Sequence, residues 1–380
     1  MLEIKRQSVT AMQFDNPLQV VEYAARMCYA SLDKIDPTKT ADFVRNLVKR
    51  GHCTPLEHAY IRIYPNDIED ASVQTYVNGL LSFAAPGNYP LADRRLSRGV
   101  FYREEDERGP YVCGNLRDMS WWLGKHTDPL ELMSSKAVIL DPYYMVTDIT
   151  TDRGIATEFF RHRTMAYDDD GYEQGYKSMA VEFVPEMAVN QQSTRYVNFN
   201  KKPTYIILQE PAEWAYNENC MAYSLWYNSC KKAIDTYNDM LQLGETPEFA
   251  RSVLPLSLGT RVVLSGSITN WVYLLSLRLP KGAHPMARLL AAYIWESIKL
   301  NKVWYSKAVE FMSSGKLDGE FDVAAFDKES EALLTLVKER TRRSLQCKTQ
   351  PMDSREKQSA PETEKPSTLV NASVETISKQ

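Results

Sequence analysis

Apolar residues recur every three or four positions in LQVVEYAARMCYA after Asn16-Pro17, which predicts a helix capped by Asn16 with proline in its first turn. A second helix is predicted from Thr40 to Arg50, stopped by Gly51. HAYIRIY (58–64) alternates apolar and polar residues as a half-buried strand does. Helical periodicity returns over 67–83. Tyr143 to Thr150 predicts a strand, and Asp152 to Arg163 a helix. One long helix is predicted from Pro211 to Leu243, ended by Gly244; its stripe of Trp, Tyr and Met suits a core or subunit interface better than a cofactor box. Further helices are expected over 266–277 and about 284–300. Residues 84–136, rich in Gly, Pro and Arg, read as irregular, an insertion or lid, because connections of that length are usually functional or mobile. From 346 to 380 Ser, Thr, Lys, Glu, Gln and Pro dominate, the composition of a disordered tail, which leaves 1–345 as the folded unit.

Composition narrows the function. With 380 residues, 44% hydrophobic and 25% charged, the chain has the make-up of a soluble globular protein. A net charge of −4 excludes a general nucleic-acid binder, so any anion site is a local gathering of arginines. No apolar run approaches the roughly 20 residues that span a bilayer, and MLEIKRQSVT lacks the apolar centre of a signal peptide, so neither membrane nor export is expected. Six cysteines form no CxxC pair and no disulfide framework, which points to reduced thiols in the cytoplasm and against structural zinc.

Two segments carry candidate chemistry. TEFFRHR (157–163) gathers Arg161, His162 and Arg163, and NQQSTRYVNF (190–199) sets Ser193 and Arg195 where a hydroxyl and a guanidinium can clasp a phosphate. Each has a plain alternative. An Arg-His-Arg triplet is often a solvated helix end, Arg251 alone reads as a surface arginine, and His52, His58 and His284 suit core or capping positions. Asp168, Asp169 and Asp170 read as a solvated loop rather than a metal site.

Four segments in order resemble the flavin-dependent thymidylate synthases, the ThyX family: GHCTPLEHAYIRI (51–63), TDRGIATEFFRHR (151–163), QQSTRYVNF (191–199) and ARSVLPLSLGTR…LLSLRLPKGAHP (250–285). The resemblance implies an α+β fold, an antiparallel sheet flanked by long helices, assembled as a homotetramer with FAD at subunit interfaces. It implies conversion of dUMP to dTMP with 5,10-methylenetetrahydrofolate and NADPH, so that the partners are small nucleotide and folate molecules. Carried over, Arg278 would stabilise the uracil anion as N3 ionises. Ser193, Thr194, Arg195 and Arg251 would cradle the nucleotide phosphate, with Gln191 and Gln192 beside it and Glu158 and Arg161 reaching the nucleotide from another subunit. Thr54, Arg161, His162 and Arg163 would hold the flavin, with His52, Glu57 and Gln191 close by. Classical thymidylate synthases use a cysteine nucleophile; no cysteine here has a convincing base beside it in sequence, which agrees with a flavin route.

The chain also departs from that pattern. The family's RHR-x7-S spacing is lengthened by 22 residues, read as an insertion at about 164–188. Glu158 stands where glutamine is usual, Gln192 replaces an acidic residue, and Ala166 or Ala188 replaces a serine. Ser267, Thr269 and Tyr273 stand where the family tends to place Asn, Arg and Asn or His toward FAD. These changes leave two alternatives to a dUMP methylase: a related methylase or hydroxymethylase of another pyrimidine nucleotide, and a non-catalytic nucleotide-binding tetramer.

Overall fold

The computed structural model describes residues 2–83, 102–123, 128–133, 135–160, 187–197, 199, 204–314 and 322–349. Its centre is a four-stranded antiparallel sheet in the order β2 (Ser8–Met12), β7 (Tyr144–Asp152), β10 (Gly259–Ser267), β8 (Ala188–Gln191). A short parallel pair, β1 (Glu3–Lys5) with β9 (Tyr205–Ile207), forms a separate ladder beside it, bridged through Ile206 to Leu258 just before β10. A second antiparallel sheet runs β4 (Tyr102–Asp106), β5 (Gly109–Asn115), β3 (Tyr60–Ile63), β6 (Val138–Leu140). The fold is thus α+β, with antiparallel sheets and long helices.

Both faces of the central sheet are covered. Val146 and Val263 point to a core shared with α1 (Pro17–Cys28), α2 (Thr40–Lys49) and α3 (Ala71–Phe83). Met145, Ile149, Val262 and Leu264 point the other way, into a core with α5 (Arg153–Phe160), α7 (Ile268–Arg278), α8 (Pro285–Leu300), α9 (Lys302–Met312) and α10 (Val323–Thr349). Trp271 and Trp295 are fully buried there, and truncating either to alanine would cost about 3–5 kcal/mol. A third, smaller core lies beneath α6 (Met221–Gln242). The strand registers put Ser8, Thr10, Asp148, Thr150, Arg261 and Ser265 on the face of the sheet that looks toward α1, so that face is polar in its middle.

Local signals hold where they are strong. Asn16 caps α1 by accepting from the amides of Leu18 and Gln19, with Pro17 in the first turn. Gly51, after α2, takes φ +73°, a conformation open to glycine. Elsewhere the structure corrects the expectation. β3 is buried at all four positions rather than half-buried: Ile61 and Ile63 face the core, while Tyr60 stacks on Tyr144 and Arg62 lies against the Tyr111 and Tyr143 rings; Arg62, its one charged residue, is satisfied by Asp141 at 2.9 Å and Asp106 at 3.1 Å. The stretch read as irregular holds β4 and β5, a hairpin turned at Glu107 and Arg108 and entered again at Gly109 with φ +107°, followed by α4 (Leu116–Leu123). The helix expected from Pro211 begins at Met221. Before it lie a 3-10 turn at Glu213–Tyr216 and a break where Asn217 accepts from the amide of Asn219, the local bond by which asparagine competes with helix. α10 runs through 346–349, the start of the expected tail, while 350–380 and most of the 164–188 insertion lie outside the described residues. None of the helices among the described residues is long and apolar enough to cross a membrane.

Candidate functional site

The QQSTRY segment leaves the sheet at the end of β8 and turns at once. Ser193 Oγ accepts from the amides of Arg195 and Tyr196, both at 3.1 Å, and the Ser193 amide donates to the Cys28 carbonyl, which fastens the turn to the end of α1. Thr194 is buried and accepts from Arg251 Nη1 at 3.2 Å. Arg195 turns outward to Glu248 at 3.1 Å. Of the residues expected to hold a phosphate, Gln191, Ser193, Thr194 and Arg251 come together, whereas Arg195 is paired elsewhere.

Sequence reasoning missed the residue that completes this group. Arg153 opens α5; its Nη2 donates to Gln191 Oε1 at 3.4 Å, while its buried Nη1 and the buried Gln191 Nε2 have no hydrogen-bond partner. Burial, and then the nearby charge of Arg251, lower its proton affinity. Two like charges and two buried donors without acceptors are costly in an empty site and suited to an anion. The available signal was an arginine between Asp152 and Gly154 at a strand-to-helix junction, where a side chain is held at the head of the helix.

The other end of α5 meets Arg278. Arg278 Nη2 donates to the Glu158 carbonyl at 2.8 Å, so the last residue of α7 is fixed against the last turn of α5. Arg161, His162 and Arg163, which follow α5, lie outside the described residues. Gln192 projects from the opposite face of the sheet to Gln191, into a cavity beside Arg261.

The residues expected near a flavin form a looser set. Thr54 and Glu57 lie in a 3-10 turn, and Tyr144 donates to the Glu57 carbonyl at 3.4 Å while pairing in register with Ser267. The Glu57 carboxylate pairs with Arg117 of α4, a contact the sequence did not suggest. Ser267 caps α7 by accepting from the Asn270 amide, and its hydroxyl lies 2.8 Å from that of Thr269. Since one of these two hydroxyls donates to the other, one proton is left to offer to an oxygen acceptor. Tyr273 packs its ring against the core of α7 and α8. His52 Nδ1 lies 3.1 Å from Tyr29 Oη, and the Tyr29 and Tyr196 rings are 6.1 Å apart, so an exposed aromatic cluster adjoins the Ser193 turn. His58 is wholly enclosed, with Nδ1 2.7 Å from Ser265 Oγ, and burial pushes its imidazole down to about 3. Among the described residues no cluster of His, Cys, Asp and Glu suits a metal ion.

Comparison with known proteins places this geometry. The profile of the thymidylate synthase complementing protein family matches residues 9–76 and 133–301. The probable flavin-dependent thymidylate synthase of Paramecium bursaria Chlorella virus 1 is 28% identical over 145 residues, 38% of this chain and 61% of the viral one. The flavin-dependent thymidylate synthase of Synechocystis sp. is 28% identical over 147 residues, 39% of this chain and 62% of its own. That of Aquifex aeolicus is 23% identical over 321 residues, 74% of this chain and 93% of its own. The chain therefore spans about three fifths of the length of the first two relatives. Among solved structures, a UMP/dUMP methylase, PolB, from Streptomyces cacaoi bound with 5-Br UMP aligns with a TM-score of 0.36 at 14% identity, covering 82% of this chain and 97% of that one.

Proposed function

The chain belongs to the thymidylate synthase complementing protein family, and on that premise we propose that it is a flavin-dependent methylase of a pyrimidine deoxynucleotide. In its simplest form it converts dUMP to dTMP, with methylenetetrahydrofolate as carbon donor and NADPH as reductant. The observation that carries this reading is the empty pair of buried donors, Arg153 Nη1 and Gln191 Nε2, beside Arg251 and Thr194. A nucleotide phosphate supplies the acceptors they lack and neutralises the two guanidinium groups.

Each residue then has a task. Ser193 and Thr194 hold the turn around the phosphate. Arg278, fixed by the Glu158 carbonyl, keeps a permanent cation against the pyrimidine and stabilises the charge that develops as N3 ionises. Thr54, Glu57, Ser267 and Thr269 hold FAD, with Arg161, His162 and Arg163. When bound, FAD supplies the hydride on which the reductive step depends. Large apolar side chains exposed on and after α6, Met221 at 72%, Leu225 at 61% and Phe249 at 67%, support assembly into the family's homotetramer.

The test is an absorbance spectrum of the purified protein, followed by NADPH oxidation with and without dUMP and identification of the product. A flavin spectrum, oxidation stimulated by dUMP and formation of dTMP are expected. Protein that binds no flavin when FAD is added overturns the reading.

A further inference from the structure

A cavity of about 560 Å³ opens on the polar face of the central sheet, within the ~300–1,000 Å³ common for small-molecule sites. Three features show that it is built rather than left over. Arg261 is pinned: its Nε donates to Asp148 Oδ1 at 3.3 Å, and its Nη2 pairs with Asp148 Oδ2 and lies 3.3 Å from the Tyr23 hydroxyl, leaving Nη1 without a partner among the described residues. The Tyr205 ring packs directly on Gly259, where a Cβ would come within 2.0 Å of it, so a glycine makes room for this wall. Ala30, at the rim, holds φ +49°, which a side chain resists.

Charge and chemistry then select an occupant. Lys5 Nζ sits 4.2 Å from the centre of the Tyr205 ring and only 3.6 Å from the exposed Glu3, so it is available to a stronger partner. Asp148 is already neutralised by Arg261 and Tyr23, and the remaining carboxylate, Asp33, is exposed at the rim. Ser8 and Thr10 add hydroxyls to the floor, and Gln192 links the cavity to the turn that holds Ser193. We propose that this cavity binds the anionic end of the co-substrate, its phosphate or carboxylate held between Lys5 and Arg261 beside the Tyr205 ring. The inference rests on the methylase reading, because that reaction requires two anion-bearing molecules besides the nucleotide: NADPH with its phosphates and the folate with its carboxylates.

The test measures Kd for NADPH, tetrahydrofolate and dUMP separately on the flavin-loaded protein and on its Lys5→Ala and Arg261→Lys variants. Lys5→Ala should weaken one co-substrate about tenfold, as loss of one charge-assisted contact does, and leave dUMP within twofold. Arg261→Lys keeps the charge but loses the fork and should weaken the same molecule. Whichever co-substrate responds identifies phosphate or carboxylate as the group bound. If neither co-substrate responds, if neither binds the wild type, or if dUMP weakens alongside, the proposal is overturned. The two readings fail separately: wild-type protein that binds neither flavin nor dUMP overturns the methylase, whereas co-substrate binding indifferent to Lys5 overturns only this site.

Discussion

Arg153 and Arg251 are like charges held close together: after burial itself, the charge of Arg251 is what weakens Arg153's hold on its proton. An anion between them removes that repulsion. Phosphate or dUMP should therefore stabilise the folded protein by about 2.7 kcal/mol at a hundredfold excess over Kd and raise the melting temperature in a concentration-dependent way. Thermal unfolding across a dUMP series checks this, and a flat melting temperature contradicts it.

Arg153→Gln should separate binding from stability. It removes a buried cation whose Nη1 has no acceptor, so the unliganded protein should be no less stable. Binding of dUMP should weaken by 10- to 100-fold, since a charged hydrogen bond contributes about 1.5–3 kcal/mol. Calorimetric titration of both proteins gives both quantities.

Arg278→Ala should abolish turnover with little change in fold, because the residue sits at the end of α7 rather than within it. A loss of about 100- to 1,000-fold in kcat is expected for an electrostatic donor to a developing anion. Circular dichroism and steady-state rates check it; an unchanged kcat removes the role.

Stability should respond to pH through two buried groups with opposite signs. His58 ionises at about 3 when folded against 6.5 when unfolded, because burial disfavours its charge; its contribution is complete above 6.5 and is lost as pH falls toward 3. Glu210, fully buried and 3.3 Å from Arg6, ionises at about 7 against 4.5, burial outweighing that cation. Its contribution is complete below 4.5 and is lost as pH rises through 7. The two oppose each other between 4.5 and 6.5. Glu210→Gln should raise stability at pH 8 by roughly 1–3 kcal/mol, and His58→Gln should flatten the acid limb; urea unfolding at several pH values reads both.

Gly259→Ala should destabilise by about 1–3 kcal/mol, because its Cβ drives into the Tyr205 ring. Adding Tyr205→Ala should recover part of that loss, since the obstacle is then gone. Denaturant unfolding of the single and double variants tests the coupling.

What could be read from the sequence was local or motif-borne. The Asn16 cap and the Gly51 stop are decided by a few neighbouring atoms, and the gathering of Ser193, Thr194 and Arg251 follows from motifs that the family shares. What escaped depends on residues far apart. Tyr60–Ile63 reads as half-buried until Tyr111, Tyr143 and Tyr144, from later in the chain, cover its second face. Residues 102–106 read as a charged loop because edge strands carry charges that keep other strands away, and β4 is such an edge. Arg153 gains its meaning only from a partner 98 positions later, Arg251, and from an unpaired nitrogen that no pattern announces.

The family profile passes over residues 77–132, yet strand β5 within that gap lies between β3 and β4 rather than hanging off the sheet. Cutting the segment away would strip β3 of a neighbour, free a row of backbone amides and carbonyls, and take Asp106 from Arg62. A shortened protein would present a raw, sticky border ready to pair with another chain. For this member of the family the apparent extra is masonry, and the smallest workable version of the fold is a long one.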